Sequence, residues 1–292
     1  MTIGRHTRTA KAAVIALLLT AAPGTALAEA SGPYYERSFV LAADERCGLF
    51  HQDVGAALAA ATRQAYSAAL RAGTAEAELR TVAARARARA ATVSCTDSEL
   101  VTVKQRVEQA FSGWVRMPSM TFPGVRADWT ANRIVSVRPS WRLMQGSMTG
   151  ASPVTIGYTA GEISDLLTAV VSFHGRPRPY AARIVMRDPA RSPRAWLGGA
   201  SDLPPESVRR GYWAVTYGAA EAELLTDGKR TGEAWRFPAE VAAALEQLDP
   251  RESFAVEFHF RDNSVASVTF EAGDFAAGRA FMAMGPLGGR QS

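Results

Sequence analysis

The segment Phe173-His174-Gly175-Arg176-Pro177-Arg178-Pro179-Tyr180 is the stretch of this chain with the most recognition chemistry. Two prolines stiffen it, and it carries two arginines, a histidine and two aromatics, with Arg183, Arg187, Arg191, Arg194 and Trp196 close behind. Guanidinium forks match carboxylate and phosphate geometry, and arginine beside aromatic rings is the chemistry of binding hot spots. His174, Arg176, Arg178, Tyr180, Arg183 and Trp196 therefore form a candidate binding loop. The plainer reading is a long hairpin loop with solvated arginines. Trp129, Trp141, Tyr212, Trp213 and Trp235 are expected either to line a sugar or peptide groove or to serve as core and lid residues.

Glu257 and His259 are two residues apart on a predicted strand, so their side chains share its polar face. A carboxylate beside an imidazole can tune a general base. The competing expectation is a solvated cross-strand surface completed by Arg261. No nucleophile elbow, Ser-x-x-Lys, His-Glu-x-x-His or phosphate-binding glycine loop occurs in the sequence. Beyond the first residues the histidines are His51, His174 and His259, none with a second histidine at ligand spacing. Neither a metal nor a cofactor is expected, and no residue is assigned a catalytic role. A hydrolase with an unrecognised site near His174 or His259 is the enzymatic alternative.

Cys47 and Cys95 are the only cysteines. Cys47 is placed at the start of one helix and Cys95 at a later turn, which brings both to the same end of a helical bundle. In an exported protein a disulfide is the default. Closing that loop stabilises the fold by about 4 kcal/mol on the chain-entropy model. The sharper alternative pairs the Cys47 thiol with His51, four residues on, as a nucleophile.

Export is expected from the first 28 residues. Arg5, Arg8 and Lys11 precede an apolar run from Ala12 to Leu19, and Ala26-Leu27-Ala28 is a small-x-small cleavage pattern. The run is shorter than the roughly 20 residues a membrane span needs, and no later stretch is long and apolar enough. Removing the signal takes away three of 33 basic residues and none of 28 acidic ones, so the formal charge falls from +5 to +2. That balance argues against nucleic-acid binding. The expected setting is the periplasm or the exterior. The expected partner is an envelope protein or an anionic envelope component.

Two regions of different pattern follow, residues 29–120 and 121–285, before a Gly-rich, flexible tail at 286–292. The first reads as a three-helix bundle. Phe50, Val54, Ala57, Leu58, Ala61, Ala65 and Ala68 form one apolar stripe, and Leu79, Val82, Ala83, Ala86, Ala90 and Val93 a second. Gly73 marks a stop, Thr74 a candidate cap, and Thr96-Asp97-Ser98-Glu99 a capping box. Leu100, Val103, Val107, Ala110, Phe111 and Trp114 form the third stripe, ended by Pro118. Arg80, Arg85, Arg87 and Arg89 spread around their helix and read as a solvated face.

The second region alternates. Strands are expected over Arg133–Val137, Trp141–Gln145, Val154–Tyr158, Thr168–Phe173, Ala182–Arg187, Trp213–Tyr217, Glu221–Thr226, Ser253–Phe260 and Ala266–Glu271. Val256, Phe258 and Phe260 alternate with Glu257, His259 and Arg261, and Asp262-Asn263 and Asp227-Gly228 are turn signals. Short helices are expected at Ala239–Leu248 and Phe275–Met284. The fold class is α+β: a helical bundle, then a mostly antiparallel β-sandwich or barrel-like domain.

Gly228-Lys229, Trp235-Arg236-Phe237-Pro238, the helix with Leu245 and Leu248, Phe254–Phe258, Val268-Thr269-Phe270, and Asp274-Phe275 with Ala280 follow in an order that resembles the periplasmic invasion-associated locus B family. The family's usual cysteines have no counterpart after Cys95. The resemblance implies an exported accessory or envelope-associated protein without known catalysis, and it transfers no functional residues.

Overall fold

A computed structural model describes residues 23–160, 166–175, 177–198, 203–226 and 228–287. The charged and apolar parts of the expected export signal fall on residues 1–22, outside the described residues.

Four helices come first, α1 (Pro23–Cys47), α2 (Gln52–Arg71), α3 (Glu76–Thr92) and α4 (Ser98–Val115). The sequence reading of three is corrected by α1, which packs against α2 and α3. Its interior Pro33 and its lack of a regular apolar stripe hid it. Cys47 is thus the last residue of a helix, not the first of one. It is bonded to Cys95 in the turn between α3 and α4, with a Cα–Cα distance of 5.6 Å. His51 begins a different helix and its Nδ1 lies 2.9 Å from Asp53, which removes the thiol–imidazole alternative.

The other stripes fold as read. In α3 the buried residues are Leu79, Val82, Ala83, Ala86 and Ala90. After α2 the chain turns at Gly73 with φ +95°, where Thr74 N–H reaches Ala69 O and Gly73 N–H reaches Leu70 O. That is the hydrogen-bond pattern that lets a left-handed glycine close a helix. Thr74 is buried instead of capping α3, whose N-cap is Ala75. Asp97, not Thr96, caps α4 by accepting from Glu99 N–H at 2.8 Å. Arg85 and Arg89 lie over the rings of Tyr35 and Phe39, and Arg80 is 4.0 Å from Glu76.

Among the described residues eleven strands and two α-helices follow: β1 (Ser119–Phe122), β2 (Trp129–Asn132), β3 (Ser140–Thr149), β4 (Ser152–Ala160), β5 (Thr168–Val171), β6 (Ala181–Arg187), β7 (Arg209–Trp213), β8 (Thr216–Ala219), β9 (Glu233–Arg236), α5 (Glu240–Leu245), β10 (Ser253–His259), β11 (Val265–Glu271) and α6 (Phe275–Met282). They form a seven-stranded sheet in the order β1-β2-β3-β4-β5-β9-β8 and a four-stranded sheet in the order β11-β10-β6-β7. Among the described residues all pairings of these strands are antiparallel, and there is no closed barrel. The alternation in β10 works as expected. Phe254, Val256 and Phe258 enter the core with Ile184 and Met186 of β6, while Glu257 and His259 lie on the opposite face, where Glu257 is itself buried and His259 partly so.

Three strand expectations are corrected. Residues 133–137 are not a strand, because Arg133 turns inward to helix ends while Ile134, Val135 and Val137 are exposed. Glu221–Thr226 contains a short 3-10 turn at Ala222–Leu224. Trp213–Tyr217 is the corner where the chain leaves β7 in one sheet and enters β8 in the other.

Helices and sheets share one large apolar cluster in which Leu58 and Phe111 join Phe122, Leu143 and Phe281. Charged groups clamp the same seam: Arg71 donates to buried Asp274 at 2.9 Å, and Arg251 donates to Leu70 O at 3.0 Å. Leu287, read as part of the flexible tail, donates its N–H to Arg133 O at 2.8 Å.

Candidate functional site

Antiparallel register decides which chemical groups meet on the outer face of the four-stranded sheet. Glu257 of β10 lies opposite Arg183 of β6, and Arg183 lies opposite Trp213 of β7. Arg183 Nε therefore donates to Glu257 Oε2 at 2.6 Å. His259, two residues along β10, places Nε2 3.7 Å from that same oxygen. The Trp213 ring sits 5.2 Å from the His259 ring and 5.4 Å from the Arg183 guanidinium. Tyr180, whose N–H donates to His259 O at 2.8 Å, holds its ring 6.4 Å from the imidazole. Trp213 is 51% exposed and Tyr180 55%. The partner of Glu257 is thus Arg183 and not Arg261, which lies beyond the strand end.

Burial pushes the His259 pKa below its ordinary 6.5, and the Arg183 charge lowers it further against the opposing pull of Glu257. The imidazole is neutral at neutral pH. Its Nε2 is buried with no hydrogen-bond partner among the described residues. The sign of the pH effect follows. The unfolded chain binds this proton more tightly than the folded one, so the contribution to stability is full above pH 6.5 and declines as pH falls through the lower, folded pKa. His259→Asn is expected to flatten that slope of stability against pH, measured by urea unfolding between pH 7 and pH 5. An unchanged slope would remove His259 as its source.

The candidate loop is divided among several places. Tyr180 and Arg183 join the cluster just described. Arg178 points elsewhere, with Nε 2.6 Å from Glu233 and its guanidinium 4.9 Å over Tyr217, which stacks on buried Trp235. Burial pushes the Glu233 carboxyl up, against the pull of Arg178. A small cavity of about 190 Å³ lies there between Phe173, Pro177, Arg178 and Gly232. Trp196 sits at the far end of the sheet, its N–H donating to Glu252 at 2.9 Å. His174 is exposed, with its backbone N–H on Ser152 Oγ at 3.0 Å. Arg176 lies outside the described residues.

Of the aromatics read as groove or core, Trp129, Tyr212 and Trp235 are buried. Trp141 is partly buried beside Leu224, and Trp213 alone of the five is strongly exposed. Tyr217, Glu233 and Glu252 are functional candidates that the sequence reading missed. Glu233 stands two residues before Trp235 and so shares its face, a parity visible in the sequence.

Arg178, Arg183 and Arg187 are each paired with a carboxylate, Glu233, Glu257 and Glu252. Arg178 and Arg183 are thus neutralised and lie beside the half-exposed rings of Tyr217 and Trp213, whereas Arg187 is buried. Among the described residues no group of three His, Cys, Asp or Glu is placed to hold a metal ion. Searches of protein-family models, curated proteins and solved structures found no match for this chain.

Proposed function

We propose that the chain is an exported, non-enzymatic binding or accessory protein of the cell envelope, and that it binds through the outer face and β7 side of the four-stranded sheet. One observation carries this reading: Tyr180 and Trp213 are half-exposed yet held in place around the Arg183–Glu257 pair and His259. Exposed large aromatics lose little side-chain entropy on binding, which is why they dominate hot spots. The Cys47–Cys95 bond supports an oxidising compartment.

Retention of the purified protein on washed envelope fragments tests the reading. Trp213→Ala is expected to weaken retention about thirtyfold, the effect of losing a hot-spot residue, with the circular dichroism spectrum unchanged. Equal sedimentation of the variant and the parent would reject this surface.

The rival reading is a hydrolase centred on His259, and it draws on the unpartnered Nε2 beside Glu257. Under that reading His259→Ala abolishes any activity found in a substrate screen. Activity that survives the change eliminates the residue.

A further inference from the structure

The four-stranded sheet ends at β7, and the register shows which of its backbone groups are already used. Ala214 N–H donates to Ala182 O at 2.9 Å, and Asp188 N–H donates to Val208 O at 2.8 Å. Both pairs continue the β6–β7 register, in which Ile184 faces Tyr212 and Met186 faces Arg210. The even-numbered residues of β7 are therefore the ones bonded to β6. Antiparallel ladders alternate, so the odd-numbered residues turn their backbone groups away from β6. Arg209 N–H is taken by Glu206 O. That leaves Arg209 C=O, Gly211 N–H and C=O, and Trp213 N–H along the outer edge. Among the described residues no strand pairs with this side of β7.

Two further features describe what fits there. Gly211 is exposed and carries no side chain, so the backbone at the centre of the edge is open to close approach. Arg209 and Arg210 have no carboxylate within ion-pair distance among the described residues, unlike Arg178, Arg183 and Arg187. The Arg210 guanidinium rests 5.1 Å over Tyr212, and Arg209 Nε donates to Pro204 O. Their side chains alternate, Arg209 with Trp213 on one face of the sheet and Arg210 on the other. An incoming strand bearing acidic residues therefore meets an arginine on either face. A second copy of β7 brings no acid to these arginines, because Arg209–Trp213 contains none.

We propose that β7 is the docking edge for an extended, acidic peptide segment of a partner protein, which adds to the sheet as a fifth strand. The proposal rests on the binding-surface reading above and names the class of partner. Main-chain hydrogen bonds to Gly211 and Trp213 supply part of the affinity, as in other strand-addition complexes. Arg209 and Arg210 select for negative charge, and Trp213 contacts a side chain of the incoming strand.

The test uses the full chain and two fluorescent probe octapeptides, one alternating Thr and Glu, the other Thr and Lys. In anisotropy titrations the Thr-Glu peptide is expected to bind at least about tenfold more tightly than the Thr-Lys peptide. On binding, the amides of Gly211 and Trp213 gain protection from hydrogen exchange while those of β1 and β2 do not. Gly211→Pro removes an outward N–H without removing a bond to β6, and proline is tolerated on edge strands. It is expected to abolish binding. The double variant Arg209→Glu/Arg210→Glu keeps every backbone group of the edge and is expected to reverse the charge preference on both faces, so the proposal stays testable if the proline variant folds poorly. Equal affinity for both peptides, unprotected Gly211 and Trp213 amides, or an unreversed preference in the Arg209→Glu/Arg210→Glu variant overturns it. If envelope retention still depends on Trp213 while the peptides fail, the docking edge falls and the surface reading stands. If the peptides bind as expected while Trp213→Ala leaves retention unchanged, the surface reading falls and the edge pairing stands.

Discussion

Replacing Arg133 with methionine is expected to remove about 3–5 kcal/mol of stability, because several buried carbonyls lose their donor at about 1–3 kcal/mol each, partly offset by relaxation. Arg133 is 2% exposed, and no carboxylate among the described residues pairs with it. Its charge is met by carbonyl oxygens at the ends of two helices. Nη1 donates to Val115 O at 3.0 Å in the last residue of α4 and to Met117 O at 3.4 Å just beyond it, Nε to Gly285 O at 2.7 Å and Nη2 to Met284 O at 3.4 Å after α6. Those carbonyls have no partner within their own helices, and the negative end of each helix favours a cation there. The guanidinium also lies 5.3 Å over the Phe281 ring. Methionine fills the space but leaves the carbonyls unpaired. Arg133→Lys keeps the charge without the planar fork and is expected to recover only part of the loss. Urea unfolding of the three proteins checks this, and a methionine variant within about 1 kcal/mol of the parent would refute it.

Glu252→Ala is expected to cost a similar 3–5 kcal/mol, because it strands a buried arginine. Arg187 and Glu252 have side chains only 4% and 2% exposed, and they meet twice, at 2.5 Å and 2.7 Å. The same carboxylate accepts from Trp196 N–H at 2.9 Å and Asp249 N–H at 2.8 Å. It therefore ties the segment carrying Trp196 to the sheet as well as neutralising Arg187. The double variant Arg187→Met/Glu252→Leu is expected to regain most of the loss, since it leaves no unpaired charge. A double variant no more stable than Glu252→Ala would show that the lost backbone bonds, not the stranded charge, dominate.

Patterns within a single element were legible. The stripe Leu79, Val82, Ala83, Ala86 and Ala90 is the buried face of α3, and the alternation around Val256, Phe258 and Phe260 is the buried face of β10 and its continuation. Asn263 takes φ +64°, the backbone conformation its place in the turn implied. The cysteine pair followed from the helical arrangement even though Cys47 belongs to an earlier helix than expected. What depends on distant chain segments was not legible. α1 is stabilised by packing on α2 and α3, and its own sequence, interrupted by Gly32-Pro33, shows no clear face. β9 is four residues long and gains its identity from β5 and β8 on either side. β7 opens with two arginines and a glycine, a poor strand by propensity, and it is held by pairing with β6.

The same division runs through the candidate site. The shared face of Glu257 and His259 is a matter of counting residues, whereas their meeting with Arg183 and Trp213 depends on registers linking segments far apart in the chain. Arg133 shows the limit most clearly. Its place in an alternating run implied a strand, but burial of two helix ends beside it decided its conformation.

The covalent bond from Cys47 to Cys95 encloses α2 and α3 in a ring of the chain. A protease that nicks this ring once, at any exposed point between Gly48 and Ser94, releases no fragment. The clipped molecule migrates as a single band until reductant is added and only then separates into two pieces.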